Sequence, residues 1–242
     1  MRIHFILHET FEAAGAYLAW AALRGHEVSM TKVYHYEKLP ESVDDFDMLI
    51  LMGGPQSPFS TKKEFPYYDA DSEMALIRSA AAADKYIVGA CLGAQLLGVA
   101  FGADCPPSPN REIGNFPIYL TEAGRQDPLL AEFADGMVVG HWHGDMPGLT
   151  DEALVLAASK GCPRQIVKYA DKVYAFQCHL EFSKELVKAL LAHEVNYDQH
   201  VQKEPYYQPA WEILDYDYSK MNQALYHFLD KLTAEENSYE KV

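Results

Sequence analysis

Gly89-Ala90-Cys91-Leu92-Gly93 sets a cysteine between an apolar run and a helix-like stretch, with a glycine two residues away on either side. Small flanking residues permit a sharp strand-to-helix turn, and peptide dipoles at a helix N-terminus favour the thiolate. That is the local chemistry of a nucleophile elbow. An isolated cysteine is more often an apolar side chain of the core, so Cys91 needs partners before this reading stands. One turn along the same helix face lies Gln95, whose amide can point back toward a substrate at the thiol. A second group is Phe176-Gln177-Cys178-His179-Leu180-Glu181. There an imidazole and a carboxylate two residues apart at a strand end can face one side, the carboxylate fixing the tautomer that accepts a thiol proton. Taken alone, such a pair is far more often two exposed polar residues than a catalytic one. The third group, Gly53-Gly54-Pro55, is by itself only a turn after an apolar run. Beside Cys91 it gains a meaning: the backbone N–H of Gly54 could join that of Leu92 in holding an oxyanion.

These groups need a scaffold that delivers strand ends to one place. Ile3, Phe5 and Leu7 alternate as in a strand, and the Ala- and Leu-rich stretch Phe11 to Arg24 predicts a helix ended by Gly25. Val28 to Tyr36 is β-prone. The stretch 47–52 is apolar throughout after Asp47, as in a parallel strand buried on both faces. Residues 69–84 predict a helix, Tyr86 to Ala90 a strand, and Leu92 to Phe101 a second helix. Strand and helix alternate, which is the pattern of a doubly wound α/β sheet with ligands beyond the carboxyl ends of its strands. The expected fold is therefore α/β: three layers around a mostly parallel, flavodoxin-like central sheet. After Gly102 the chain turns β-rich, with strands predicted at Ile113 to Thr121, Gly136 to Val139, Gln165 to Tyr169 and Val173 to Gln177. A helix follows from Glu181, on which Phe182, Leu186, Val187, Leu190 and Leu191 share a face. We divide the chain into a domain over 1–192 and a Tyr-rich, acidic extension over 193–242. In the extension, Met221, Leu225, Phe228, Leu229 and Leu232 mark a helix that packs on the domain or on a partner.

The formal net charge is −15, from 35 acidic and 20 basic residues. Nucleic-acid binding draws on clustered Lys and Arg, so no nucleic acid partner is expected. No apolar run reaches the roughly 18–20 residues of a membrane helix, and residues 1–7 do not form a secretory leader. Four scattered cysteines without CxxC spacing suit a reducing compartment, so the expected location is the cytoplasm, with no membrane association. The histidines at 4, 8, 26 and 35 lack ligand spacing, and His141-Trp142-His143 lacks a third ligand in the sequence. No metal and no cofactor are expected.

Taken in order, the GGP turn, Gly-x-Cys-x-Gly-x-Gln at 89–95 and Phe-Gln-x-His-x-Glu at 176–181 closely resemble the class I glutamine amidotransferases. The resemblance spans roughly residues 1–190. Glu112-Ile113-Gly114 and Trp142-His143-Gly144-Asp145 look like standalone members similar to the glutaminase half of GMP synthetase. It implies that Cys91 attacks the carboxamide of L-glutamine to form a glutamyl thioester. His179 then acts as acid and base, Glu181 orients it, Gly54 and Leu92 hold the oxyanion, and Gln95 contacts the substrate. His143 and Asp145 are candidates for shaping the substrate pocket. Ammonia would pass to a separate synthetase or acceptor protein, because this sequence has no GxxxxGK[ST] phosphate loop. Two positions depart from the family pattern: Leu180 replaces a usual proline, and Asn115 stands where tryptophan is common. Alternatives are a γ-glutamyl amide or peptide hydrolase using the same triad, another cysteine-elbow hydrolase or peptidase, and a non-catalytic binding or regulatory protein.

Overall fold

The computed structural model describes residues 1–234; the end of the expected extension, 235–242, lies outside the described residues. Strands β1 (Arg2–Leu7), β3 (Met48–Leu51), β4 (Tyr86–Ala90) and β9 (Val173–Phe176) are enclosed along almost their whole length, and all but β1 are unbroken apolar runs. Such strands require a layer on each face of the sheet. Their side chains divide accordingly. Phe5, Ile50 and Val88 share a core with helices α1 (Gly15–Leu23), α5 (Lys184–His193) and α8 (Ser219–Leu232). Ile6, Leu49, Leu51 and Ile87 share the opposite core with α2 (Ala70–Ala82) and α3 (Leu92–Ala100).

The sheet also contains β2 (Glu27–Lys32), β5 (Pro107–Leu120), β6 (Met137–Asp145), β7 (Leu154–Ser159) and β8 (Ile166–Ala170). Its order is β2-β1-β3-β4-β9-β8-β7-β5-β6. The first five strands run parallel, and the β-rich second half continues the same sheet antiparallel. The α/β class inferred from the sequence is the class observed. Register decides where the chemistry falls. Ile6 pairs with Leu51, Leu51 with Gly89 and Ala90 with Phe176, so β1, β3, β4 and β9 end at one level. The chain leaving them supplies His8 and Glu12, Gly53 and Gly54, Cys91, and His179 to one edge, the usual ligand edge of an open parallel sheet.

Several boundaries differ from expectation. Helix α1 starts at Gly15 rather than Phe11, which frees 8–14 as a loop over the strand ends. The stretch after Lys32 turns into a 3₁₀ segment, Val33–His35. Strand β6 runs on to Asp145, placing His143 and Asp145 on a strand, and β7 was absent from the sequence reading.

Candidate active site

Cys91 sits between β4 and α3 with φ 51° and ψ −106°, a conformation that L residues rarely occupy. Close backbone approach permits the turn: a Cβ on Gly93 would stand 2.2 Å from the carbonyl oxygen of Leu51, so only glycine lets α3 approach β3. The Cys91 N–H donates to Phe176 O at 2.8 Å, tying the elbow to β9. The thiol points toward Trp142 O, 3.7 Å away on β6, a weak S–H···O contact.

His179 arrives from beyond β9 and is clamped to β6 by two backbone hydrogen bonds with Gly140, of 2.8 and 3.0 Å. Its ring stacks on Phe182, with centroids 4.3 Å apart and planes 16° from parallel. Nδ1 lies 2.6 Å from Glu181 Oε1. Nε2 is buried outside conventional hydrogen-bond geometry to any described residue, but the ring is close enough for Cys91 to act on its proton affinity. Burial works against the imidazolium. The Glu181 charge outweighs it, with the proximity of Cys91 and the hydrogen bond to Glu181 adding, and the His179 pKa is raised well above the usual histidine value. A cysteine, an imidazole and a carboxylate are thus brought together at the strand ends, and the carboxylate favours the charged form of the ring.

The backbone amides of Leu92 and Gly54 are not engaged by other described groups. Gly54 packs on Leu92: a Cβ there would come within 3.0 Å of Leu92 Cδ2. His8 fixes the turn that presents it. His8 contacts Gly53 O through Nδ1 at 3.1 Å and Glu73 Oε2 through Nε2 at 2.9 Å. Both partners are acceptors, so both ring nitrogens donate; burial opposes this charge, but the Glu73 carboxylate overcomes it and the His8 pKa is raised.

These groups open on a cavity of about 380 Å³. Cys91, Gln95, His143 and Asp145 line it, together with Glu12, Arg111, Trp142 and Glu194, which the sequence did not single out. Gln95 is buried and its Nε2 donates to Gln177 Oε1 at 3.2 Å. Arg111 pairs with Glu194 at 2.9 Å, and Trp142 Nε1 donates to the other oxygen of the same carboxylate at 3.2 Å. His143 has a second attachment behind the cavity. Its Nε2 is 3.2 Å from Glu112 Oε2, and Glu112 also accepts from Ser159 Oγ at 2.8 Å and Gln165 Nε2 at 2.6 Å. Burial raises the Glu112 pKa, but these donors and the two histidines bring it below the usual carboxylate value. Glu112, His141 and His143 bring their ligand atoms within 4.8 Å of one another. The third ligand missing from the sequence is therefore present in space, because β5 pairs Glu112 with His143 across the strands. The expectation of no metal rested on its absence and loses that ground.

The sequence model for glutamine amidotransferase class-I matches residues 16–195. The chain is 51% identical over 233 residues to the glutamine amidotransferase-like protein YfeJ of Salmonella typhimurium, covering 96% of this chain and 98% of that one. The crystal structure of SMU.1228c shares 70% identity and a TM-score of 0.96, over 96% of this chain and 100% of that one. A glutamine amidotransferase from Thermotoga maritima, 21% identical, shares the fold with a TM-score of 0.82 over 96% of this chain and 97% of its own. Among the described residues no helix is long and apolar enough to cross a membrane. By this family match, and by its likeness to YfeJ over nearly the whole length of both chains, the protein belongs to the class I glutamine amidotransferases.

Proposed function

We propose that this protein hydrolyses the side-chain amide of L-glutamine to glutamate and ammonia through Cys91, His179 and Glu181. The observation that supports the reading most is His179 held between Glu181, at 2.6 Å, and the Cys91 elbow. The Cys91 thiolate adds to the carboxamide carbon while the Leu92 and Gly54 amides receive the charge on oxygen. The C–N bond breaks as His179 Nε2–H protonates the nitrogen, leaving a glutamyl thioester. Water, deprotonated by His179, then releases glutamate and regenerates the thiol. Gln95 contacts the substrate, and His143 and Asp145 shape its pocket from β6. Ammonia goes to a separate synthetase or acceptor protein, in the cytoplasm.

A glutaminase assay on the wild-type protein and on Cys91→Ala tests this. Turnover in the first and loss of it in the second are expected; unchanged turnover in Cys91→Ala would discard the mechanism. Labelling of Cys91 by a glutamine-like electrophile is the companion measurement, and a folded protein that resists labelling argues for a binding role instead. A second reading, hydrolysis of γ-glutamyl conjugates, draws support from the reach of the cavity past Cys91 to Arg111, Trp142 and Glu194. Assaying conjugates beside glutamine separates the two, a strong preference for conjugates favouring the second.

A further inference from the structure

Glu12 brings a carboxyl into the cavity from the loop between β1 and α1. The residue is 7% exposed, and its side chain has no hydrogen-bond or ion-pair partner among the described residues. An enclosed carboxyl with no protein partner is costly to the fold. Its oxygens are not among the fully enclosed polar atoms, which leaves them open to the cavity. Gly53 sets its distance from the nucleophile: a Cβ there would stand 2.5 Å from Glu12 Oε2 and 3.4 Å from Cys91 Cβ. The Glu12 carboxyl and the Cys91 β-carbon therefore pack against the same glycine. The charged groups that act on Glu12 are His179 and Glu181 of the triad, with His8 and Glu9 of its own loop.

We infer that Glu12 forms the leaving-nitrogen subsite of this centre, accepting N–H hydrogen bonds from the scissile carboxamide and then from the departing ammonia. The inference rests on the glutaminase reading above. With the carbonyl oxygen toward the Leu92 and Gly54 amides, the nitrogen of the tetrahedral adduct lies on the side of His179, which must protonate it. That nitrogen brings two N–H groups to the adduct and gains a third on departure. Donors need acceptors in an enclosed site, and Glu12 supplies two oxygens there. When the C–N bond breaks, its electron pair takes the His179 Nε2 proton. A Glu12 carboxyl that is protonated at that moment passes its own proton to the ammonia, leaving ammonium paired with carboxylate. The subsite thus takes primary amides, and secondary amides with one N–H remaining, over substrates whose leaving atom has no hydrogen.

The test compares L-glutamine with γ-glutamyl methyl ester, which yields the same thioester but expels methanol. In Glu12→Ala, kcat/KM for glutamine is expected to fall about 10²-fold, the scale of losing one strong transition-state hydrogen bond, with the ester changing less than about threefold. Glu12→Gln, close in shape and keeping one acceptor oxygen, is expected to fall between and guards against a variant that fails to fold. Equal losses on both substrates, or no loss on glutamine, would overturn the inference while leaving the glutaminase reading intact. If the wild-type protein cleaves neither substrate, that reading fails first and this inference goes with it.

Discussion

Asn222 Nδ2 donates to Leu180 O at 2.6 Å and to Phe182 O at 3.2 Å, so one side chain of α8 holds the main chain on both sides of Glu181. Leu180 stands where the family pattern has proline, and the second departure is met in the same way. The Asn115 N–H donates to Gln208 Oε1 at 2.7 Å, and Asn115 Nδ2 donates to Tyr218 Oη at 3.4 Å. Both unusual positions are gripped by the segment after α5. Asn222→Ala should cost about 1–3 kcal/mol by leaving these carbonyls short of a donor, measured by urea unfolding. In the glutaminase assay kcat should fall several-fold with KM nearly constant, since in the proposed mechanism Glu181 orients His179 rather than touching substrate. A KM effect alone would place the role of Asn222 in substrate binding instead.

The Cys91 backbone gives the next prediction. At φ 51° and ψ −106° Cys91 sits where a side chain costs about 1–3 kcal/mol and glycine very little. Cys91→Gly and Cys91→Ala should both be inactive, yet the glycine variant should be the more stable by about 1 kcal/mol in denaturant titrations. Cys91 is also the N-cap of α3, a position that favours glycine over alanine in the same direction. The alanine variant proving more stable would show a relaxed elbow.

What could be read from the sequence was what local chemistry dictates. Strands β3 and β4 were legible because burial on both faces leaves an unbroken apolar run, β1 because Ile3, Phe5 and Leu7 alternate, and the elbow because Gly89 and Gly93 must be glycine for α3 to approach β3. His179 and Glu181 stood out only beside the Cys91 elbow, since a His-x-Glu pair alone reads as exposed polarity. Strand β7 was not legible: Leu154–Ser159 is half exposed and contains two alanines and a serine, with little β signature. Glu112 was missed as a partner of His143 because strand register, not sequence distance, sets them opposite each other. Glu12 was missed because Phe-Glu-Ala-Ala reads as a helix start, while Gly15, at φ 45°, delays the helix and leaves Glu12 in a loop.

A pH effect far from the cavity provides a control. His4 is buried, within 2.8 Å of Ser29 Oγ and 3.0 Å of Thr31 Oγ1, and burial pushes its pKa down to about 4 from an ordinary 6.5. The folded protein therefore keeps His4 neutral while the unfolded chain takes up a proton between those values. Its stabilisation is complete above pH 6.5 and is lost as pH falls toward 4, by about 3 kcal/mol at most. Urea midpoints of the wild type and His4→Gln should converge in that direction. Parallel curves would mean that His4 protonates in the folded state without penalty.

Glu12 should show the opposite dependence. Burial raises its pKa to about 7 from an ordinary 4.5, the His179 charge opposing this and the Glu181 charge adding to it. Between those values the folded protein holds a proton that the unfolded chain gives up. Glu12 is thus harmless below pH 4.5 and increasingly destabilising as pH rises to 7, by about 3 kcal/mol at the plateau. Glu12→Gln should accordingly be more stable than the wild type at pH 8 and equal to it at pH 4.5, by urea unfolding at both values. A variant less stable at pH 8 would show that the folded protein already satisfies the carboxylate. A variant that gains stability and loses glutamine turnover would identify Glu12 as a group kept for its chemistry, since removing the charge would then help the fold and harm the reaction.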